Sequence, residues 1–375
     1  MTAAPRAPGG VLGSTGLTTS RLGFGCYRVD DETPGHRAAL LRAIETGCSL
    51  IDTSTNYTDG HSESLVGEVL DDLGRRDKER RREIVLVSKI GYVQGQNLGL
   101  ALDRERARRP FPEMVRYMDG CWHCIHPEFL RDQLTRSRRR LRVETLDVCL
   151  LHNPEYFLSD AAHRKDAPIE EARATFYRRL RDAFAFLEEA AKAGEIRFYG
   201  VSSNTCVSPA GDPEATSVSL MLAAARSAAG ENHRFRVLQL PMNLFETGAA
   251  LEANTGPDGA RTALEAASGG GLGVLVNRPL NAIIGGRLLR LAAAAGRNAD
   301  AVAEIIDPAL PAARRSEPLS RKAIWVLSST PGVGNVLVGM RRPEYVDDAM
   351  AVETWEPLAD PLAVLRRTRD ALAAS

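Results

Sequence analysis

Hydrophobic and polar positions along this chain follow two alternating periods. Short, nearly unbroken apolar runs read as strands buried on both faces. They are RLGFG at 21–25, SLID at 49–52, EIVLVSK at 83–89, LDVCLLH at 146–152, IRFYGVSS at 196–203, FRVLQL at 235–240, GVLVN at 273–277 and NVLVG at 335–339. Between them the apolar residues recur at helical spacing. Leu65, Val66, Val69, Leu70 and Leu73 mark one helix face, with Ser62 expected as its N-cap and Gly74 as its stop. Leu130, Leu134 and Leu141 mark a second, and Phe176, Leu180, Phe184 and Leu187 a long third that ends near Gly194. The stretches 37–47, 219–230, 260–268, 321–329 and 343–351 complete the series.

Eight such alternations predict an α/β protein with a parallel sheet and helical crossovers. A count of eight favours a closed (β/α)8 TIM barrel over an open doubly wound sheet. The chain reads as one domain, 1–375, with an extra helix at about 359–374 packed outside. Polar or Gly/Pro-rich stretches at 91–125, 153–172, 244–258 and 281–317 follow strand ends. In a barrel these are long loops on the C-terminal face, where chemistry sits. RRDKERRRE (75–83) reads as an exposed turn and RSRRRLR (136–142) as a solvated helix face. GGGLG (269–273) precedes a strand instead of following one. It therefore fails the test for a dinucleotide cradle and reads as a helix end turning into strand seven.

Composition narrows the partners. The 375 residues are 44% hydrophobic and 26% charged, an ordinary globular balance. Lys+Arg and Asp+Glu both number 48, which argues against nucleic acid, whose phosphates select a basic excess. No apolar run approaches the roughly 18 residues of a membrane span. The opening MTAAPRAPGG has no apolar core of a signal peptide. Six cysteines are too few for a disulfide scaffold, so a cytoplasmic protein is expected.

The strand ends carry the candidate chemistry. Strand two ends in Asp52 with Tyr57 just beyond; strands three and four end in Lys89 and His152. In a barrel these converge on one mouth. A free phenol has a pKa of about 10, too high for proton transfer at neutral pH. A nearby ammonium lowers it, and a carboxylate holds that ammonium charged. An imidazole donates a hydrogen bond to a carbonyl oxygen. Taken singly, Asp52 reads as a turn carboxylate, Tyr57 as loop packing, Lys89 as a solvated edge and His152 as a satisfied core histidine. Their joint placement separates the two readings.

CWHCIHPEF (121–129) sets Cys121, His123, Cys124 and His126 within six residues. Structural zinc sites draw their ligands from two separate segments, and six residues hardly wrap a tetrahedron. The expectation is no metal: an active-site loop entering a helix at Pro127, with Trp122 lining the substrate pocket. Cys26, Cys48, Cys149 and Cys206 read as packing residues. Tyr27 follows strand one and borders the pocket.

Together LIDTSTNYTDGHSESLVGEVL, LVSKIG, LDVCLLHNPE, IRFYGVSSN, LQLPMN and VLVGMRRPEYVDDAM resemble the aldo-keto reductase family over nearly the whole chain. GVLGSTGLTTSRLGFG is similar to the β-hairpin that caps the barrel bottom in that family. The resemblance implies a nicotinamide cofactor bound without a Rossmann fold and a small-molecule carbonyl or alcohol substrate; the long loops leave room for a large or decorated one such as a sugar. It implies Tyr57 as general acid, Lys89 with Asp52 lowering its pKa, and His152 orienting the carbonyl. Ser202, with Ser203 or Asn204, and Gln239 match the positions that hold the carboxamide. Asn277, Arg278 and Leu280 in NRPL match the stretch along ring and pyrophosphate. Gly339, Arg341 and Tyr345 in GMRRPEY match the adenosine end, where Arg341 or Arg342 meets a 2′-phosphate. Asn153 joins Tyr27 and Trp122 as a pocket residue.

Three positions depart from the family pattern. Asn277 replaces an aromatic ring stacked on the nicotinamide, Tyr345 replaces Gln or Arg, and Ala349 replaces an adenine-contacting Asn. The expected function is NADP(H)-dependent interconversion of a carbonyl and an alcohol. The alternatives are an NAD-dependent sugar or alcohol dehydrogenase, and a cofactor-binding regulatory barrel with little turnover.

Overall fold

The apolar runs become strands because both of their faces find partners. In this computed structural model, which describes residues 9–165, 168–256, 259–284, 287–291 and 297–373, they close into a parallel barrel. The strands are β1 (Leu22–Gly25), β2 (Leu50–Asp52), β3 (Val85–Ile90), β4 (Leu146–His152), β5 (Ile196–Ser202), β6 (Phe235–Pro241), β7 (Gly273–Asn277) and β8 (Asn335–Val338). They neighbour one another in chain order, and β8 pairs with β1 to close the ring. One main outer-layer helix follows each strand: α1 (Pro34–Glu45), α2 (His61–Arg76), α3 (Pro127–Leu141), α4 (Ile169–Lys192), α5 (Val218–Ala229), α6 (Ala263–Gly269), α7 (Leu319–Ser329) and α8 (Pro343–Met350).

Alternation along each strand splits the apolar residues into two cores. Ile51, Leu86, Cys149, Leu151, Tyr199, Val201, Leu238 and Val276 face outward into the layer shared with the helices. Leu50, Val85, Val87, Val148, Leu150, Val237, Leu275 and Leu337 fill the interior. Leu12 and Leu17 join that interior from the antiparallel pair Gly10–Val11 and Thr18–Thr19. The expected hairpin is therefore present, and it plugs the bottom. Gly200 is needed in β5 because a Cβ there would lie 1.9 Å from Val237 O.

The same period places the site. Two residues beyond Leu50 is Asp52, and two beyond Val87 is Lys89. Leu150 leads to His152, Gly200 to Ser202, Val237 to Gln239 and Leu275 to Asn277. The interior column turns from apolar to polar at the C-terminal rim.

Several local expectations are corrected. Helix α2 begins at His61 behind Gly60, a left-handed N-cap, and runs through Gly74 to Arg76. Ser62 lies inside the helix, fully buried, and bonds Thr53 Oγ1 at 2.8 Å. The basic stretch 75–83 contains a helix, Lys78–Arg82, capped by Asp77 and anchored by Arg80 on the carbonyls of Ile44 and Cys48. Along 136–142, Arg140 turns inward to the fully buried carboxylate of Glu63 at 2.7 Å. The stretch 91–125 holds a helix, Gly95–Arg106, and a three-stranded antiparallel sheet. The stretch 281–317, expected as a loop, contains the pair Asn281–Ile284 and Arg287–Arg290, then helix Arg297–Ile306; its residues 285–286 and 292–296 lie outside the described residues. The C-terminal helix runs over Pro361–Ala373; the range expected for it extends onto 374, outside the described residues.

Candidate active site

The rim residues meet because the turn after β2 is pinned from several sides. Thr53 N and Thr55 N donate to Val87 O and Lys89 O, continuing the β2–β3 ladder past the strand. Thr58 and Asp59 take left-handed backbone angles, and Thr58 Oγ1 donates to Val29 O. The Asp59 carboxylate accepts from Gln96 N. This short coil returns Tyr57 over the rim.

Lys89 is fully buried and saturates its ammonium on three oxygens. Nζ lies 2.7 Å from Asp52 Oδ2, 2.8 Å from Thr53 O and 3.0 Å from Tyr57 OH. Gln239 Nε2 donates to the other Asp52 oxygen at 2.8 Å. The carboxylate is thus satisfied on both sides, which a buried charge requires. His152 stands edge-on to Tyr57, ring centroids 5.8 Å apart, and its Nδ1 is 3.0 Å from Ser54 Oγ.

Burial is the largest influence on Tyr57 and raises its phenol; the Coulomb pull of Lys89 opposes this without overcoming it. The net shift is upward, opposite in sign to the depression expected from the ammonium alone. Burial also acts first on Lys89, downward, but Asp52 and Tyr57 together hold the ammonium above its ordinary value. Burial, then the positive charge of Lys89, push His152 well below its ordinary value, so the imidazole is neutral at physiological pH. The rim at neutral pH holds a protonated phenol, a charged lysine and an uncharged histidine.

The other expected residues divide into groups. Ser202 Oγ donates to Gln239 Oε1 at 3.0 Å, and Asn277 Nδ2 approaches the same oxygen at 3.4 Å. Ser203 Oγ instead pairs with Thr216 at 3.0 Å. Asn204 is held through its backbone N–H, which donates to Glu155 at 2.6 Å. Arg278 pairs with Glu246 at 3.0 Å, and Leu280 packs on the outer core. Gly339 is exposed, with open space where a side chain would stand. Arg341 and Arg342 are exposed and have no carboxylate partner among the described residues; Tyr345 lies beneath Arg342. Ala349 is buried in the outer core. Tyr27 is 60% exposed and meets Tyr57 edge-on at 5.4 Å.

Trp122 packs in the small core of the 91–125 excursion, under the guanidinium of Arg116. Besides Tyr57, a second ring beside His152 comes from Tyr92, which the sequence pattern did not single out. Tyr92 sits 4.6 Å from the His152 ring, and its hydroxyl accepts from Asn153 Nδ2 at 2.8 Å and bonds Tyr156. Gly91, at φ 139°, turns the chain out of β3 to place it. Cys121, His123, Cys124 and His126 point to different partners: Gln94, His152 O, Pro112 O and Glu128 N. No cluster of three or more His, Cys, Asp or Glu that could hold a metal occurs among the described residues.

Glu155 was also missed. Burial raises it from 4.5 to about 7, and its Oε2 is buried without a partner. Between those two values the unfolded chain releases the proton while the folded protein keeps it. Stability therefore falls as pH rises through that window, by about 3 kcal/mol from this residue. Glu155→Gln should make stability flatter than wild type between pH 5 and pH 8, read as the difference in denaturant midpoints.

Residues 21–210 match the model of the aldo/keto reductase family, a span that includes the rim from Asp52 to Asn204. The chain belongs to the aldo/keto reductase family. Among curated relatives, the NADH-specific methylglyoxal reductase of Escherichia coli is 24% identical over 51% of this chain and 51% of its own. The NAD(P)H-dependent D-xylose reductase of Scheffersomyces stipitis is 27% identical over 51% and 50%. The chain thus spans about half the length of the curated relatives it matches. The fold extends further: the holo form of an aldo-keto reductase from Bacillus halodurans covers 96% of this chain and 96% of its own with a TM-score of 0.62, at 19% identity.

Proposed function

We propose that this aldo/keto reductase interconverts a carbonyl compound and an alcohol with NADP(H), Tyr57 serving as proton donor in reduction and acceptor in oxidation. The observation that carries this is the bridge of Lys89 Nζ to both Asp52 Oδ2 at 2.7 Å and Tyr57 OH at 3.0 Å. A buried ammonium tied to one phenol is costly to build, and a binding-only barrel has no use for it. That weighs against a regulatory role.

The residues present fit a nicotinamide cofactor. Asn277 Oδ1 and Arg278 Nε are buried without hydrogen-bond partners at the end of β7, an acceptor and a donor suited to a carboxamide and a phosphate. Ser202, Ser203 or Asn204, and Gln239 would complete the carboxamide side, with Gly339, Arg341 and Tyr345 at the adenosine end. When bound, the cofactor supplies or takes the hydride.

The protein's own groups manage the proton. Burial keeps the Tyr57 phenol protonated at neutral pH, the form a general acid needs. As the carbonyl oxygen gains charge, the phenol gives up its proton, and the nearby ammonium stabilises the phenolate that remains. Neutral His152 donates a hydrogen bond to the same oxygen and orients it. Tyr27 stands against Tyr57 and Tyr92 against His152. We place the work in the cytoplasm, supported by six free thiols and by the lack, among described residues, of any helix long and apolar enough to cross a membrane.

The test is cofactor oxidation against a panel of aldehydes, ketones and sugars, with Tyr57→Phe as control; cofactor binding without turnover of any would sink the reading. The NADH-specific relative supports the alternative of NAD, and the paired arginines decide between them. Arg341→Ala and Arg342→Ala should together weaken NADP binding by about 1.5–3 kcal/mol, the range of hydrogen bonds to charged groups, and leave NAD unchanged. Titration of both cofactors checks this.

A further inference from the structure

A neutral imidazole has one proton for two nitrogens, so it donates at one and accepts at the other. The reaction proposed above needs the donor at His152 Nε2, which no protein group bonds among the described residues. Nδ1 must then accept. The hydroxyl within reach is Ser54, at 3.0 Å.

Ser54 also has one proton, and three acceptors surround it. His152 Nδ1 is at 3.0 Å, Asn56 Oδ1 at 2.7 Å and Lys89 O at 3.3 Å. Which one receives it depends on what lies behind Ser54. The Asn56 amide bridges to Gln94 at 3.1 Å, and the Gln94 amide bridges to Cys121 Sγ at 3.1 Å. The series His152–Ser54–Asn56–Gln94–Cys121 is a chain of hydrogen bonds that can run in two senses.

In the first sense Gln94 donates to the sulfur, Asn56 to Gln94, and Ser54 to Asn56. His152 must then donate Nδ1–H to Ser54, which leaves Nε2 bare and unable to donate to a carbonyl oxygen. In the second sense both amides are turned end for end. The Cys121 thiol donates to Gln94, Gln94 to Asn56, Asn56 to Ser54, and Ser54 to Nδ1. The two senses place the heavy atoms alike, because an amide oxygen and nitrogen exchange positions on a half-turn. The second needs a protonated sulfur, and burial holds the Cys121 thiol above its ordinary value.

We infer that Ser54 is a positioning residue for His152, donating to Nδ1 and so holding the imidazole as the Nε2–H tautomer, with the Asn56–Gln94–Cys121 chain turned to that sense. The inference rests on the proposed carbonyl chemistry. A purely structural Ser54 would close the turn after β2 and leave the tautomer to chance.

Nitrogen-15 NMR of the full chain with labelled histidine reads the tautomer directly. The chain has seven histidines, and the His152 signals are those lost in His152→Asn. The expected wild-type pattern is an unprotonated Nδ1 and a protonated Nε2. Ser54→Ala should move both nitrogens toward an averaged shift and lower kcat about ten- to a hundredfold, as loss of a partner that orients a working imidazole does at metal sites. Ser54→Thr, which keeps the hydroxyl, should restore both. A protonated Nδ1 in the wild type overturns the inference, as does a Ser54→Ala protein with unchanged shifts and kcat. If the Nε2–H form is found and no carbonyl is reduced, the proposed reaction fails and the tautomer assignment stands. If carbonyls are reduced by an Nδ1–H form, the reverse holds.

Discussion

Tyr57→Phe should lower the rate of carbonyl reduction by about 10²–10⁴-fold, the range set by losing a positioned general acid, while the protein stays folded. The ring keeps its contacts with Tyr27 at 5.4 Å and His152 at 5.8 Å. Lys89 loses one of three oxygen partners and retains Asp52 and Thr53 O. The stability cost is therefore about 1 kcal/mol, that of one hydrogen bond. Cofactor affinity, read by fluorescence titration, should not change. The upward shift of the phenol adds a pH signature. Reduction needs the protonated form, so on this account the wild-type rate should hold up to about pH 10, the ordinary phenol value, or beyond. A fall near neutral pH assigned to Tyr57 would contradict the burial argument. Activity in Tyr57→Phe within a few-fold of wild type would remove the phenol from the mechanism.

The fold was legible because parallel strands buried on both faces leave little room for polar residues, so each strand stood out as an apolar block. The site was legible for a related reason. Its side chains continue the interior column two residues beyond the last apolar one: Leu50 to Asp52, Val87 to Lys89, Leu150 to His152. A polar residue in that position has left the packed interior and reached the rim.

What was not legible depends on contacts across sequence distance. The sign of the Tyr57 shift comes from how deeply neighbouring chain covers the phenol, and no local pattern encodes that. Tyr92 reaches His152 because Gly91 turns the chain sharply, and Ser54 matters only once His152 is beside it. Lys78–Arg82 carries charge at every position, so it has no apolar face to reveal a helix; its hold is the Asp77 cap and the Arg80 bonds to backbone carbonyls. Arg140 in a basic run looked solvated, although Glu63 lies fully buried 77 residues away in sequence and accepts from it.

Lys89→Met should cost about 3–5 kcal/mol of folding stability, because it leaves the Asp52 carboxylate buried without its counter-charge. Asp52 is 3% exposed, and burial already raises its pKa even with the lysine in place. Removing the ammonium removes the opposing pull, so the carboxyl should take up a proton at higher pH. A raised folded-state pKa means that stability is retained at low pH and lost as pH rises. The deficit relative to wild type should therefore be larger at pH 8 than at pH 5, measured by urea midpoints at both. Asp52→Asn in the Lys89→Met background should recover much of the loss, because a neutral amide tolerates the site and its oxygen can still accept from Gln239. It should recover none of the activity, since the phenolate left by Tyr57 would still lack a cation beside it. Equal stability of Lys89→Met and wild type at pH 8 would mean that water or another cation reaches Asp52, and the electrostatic account of the rim would fail with it.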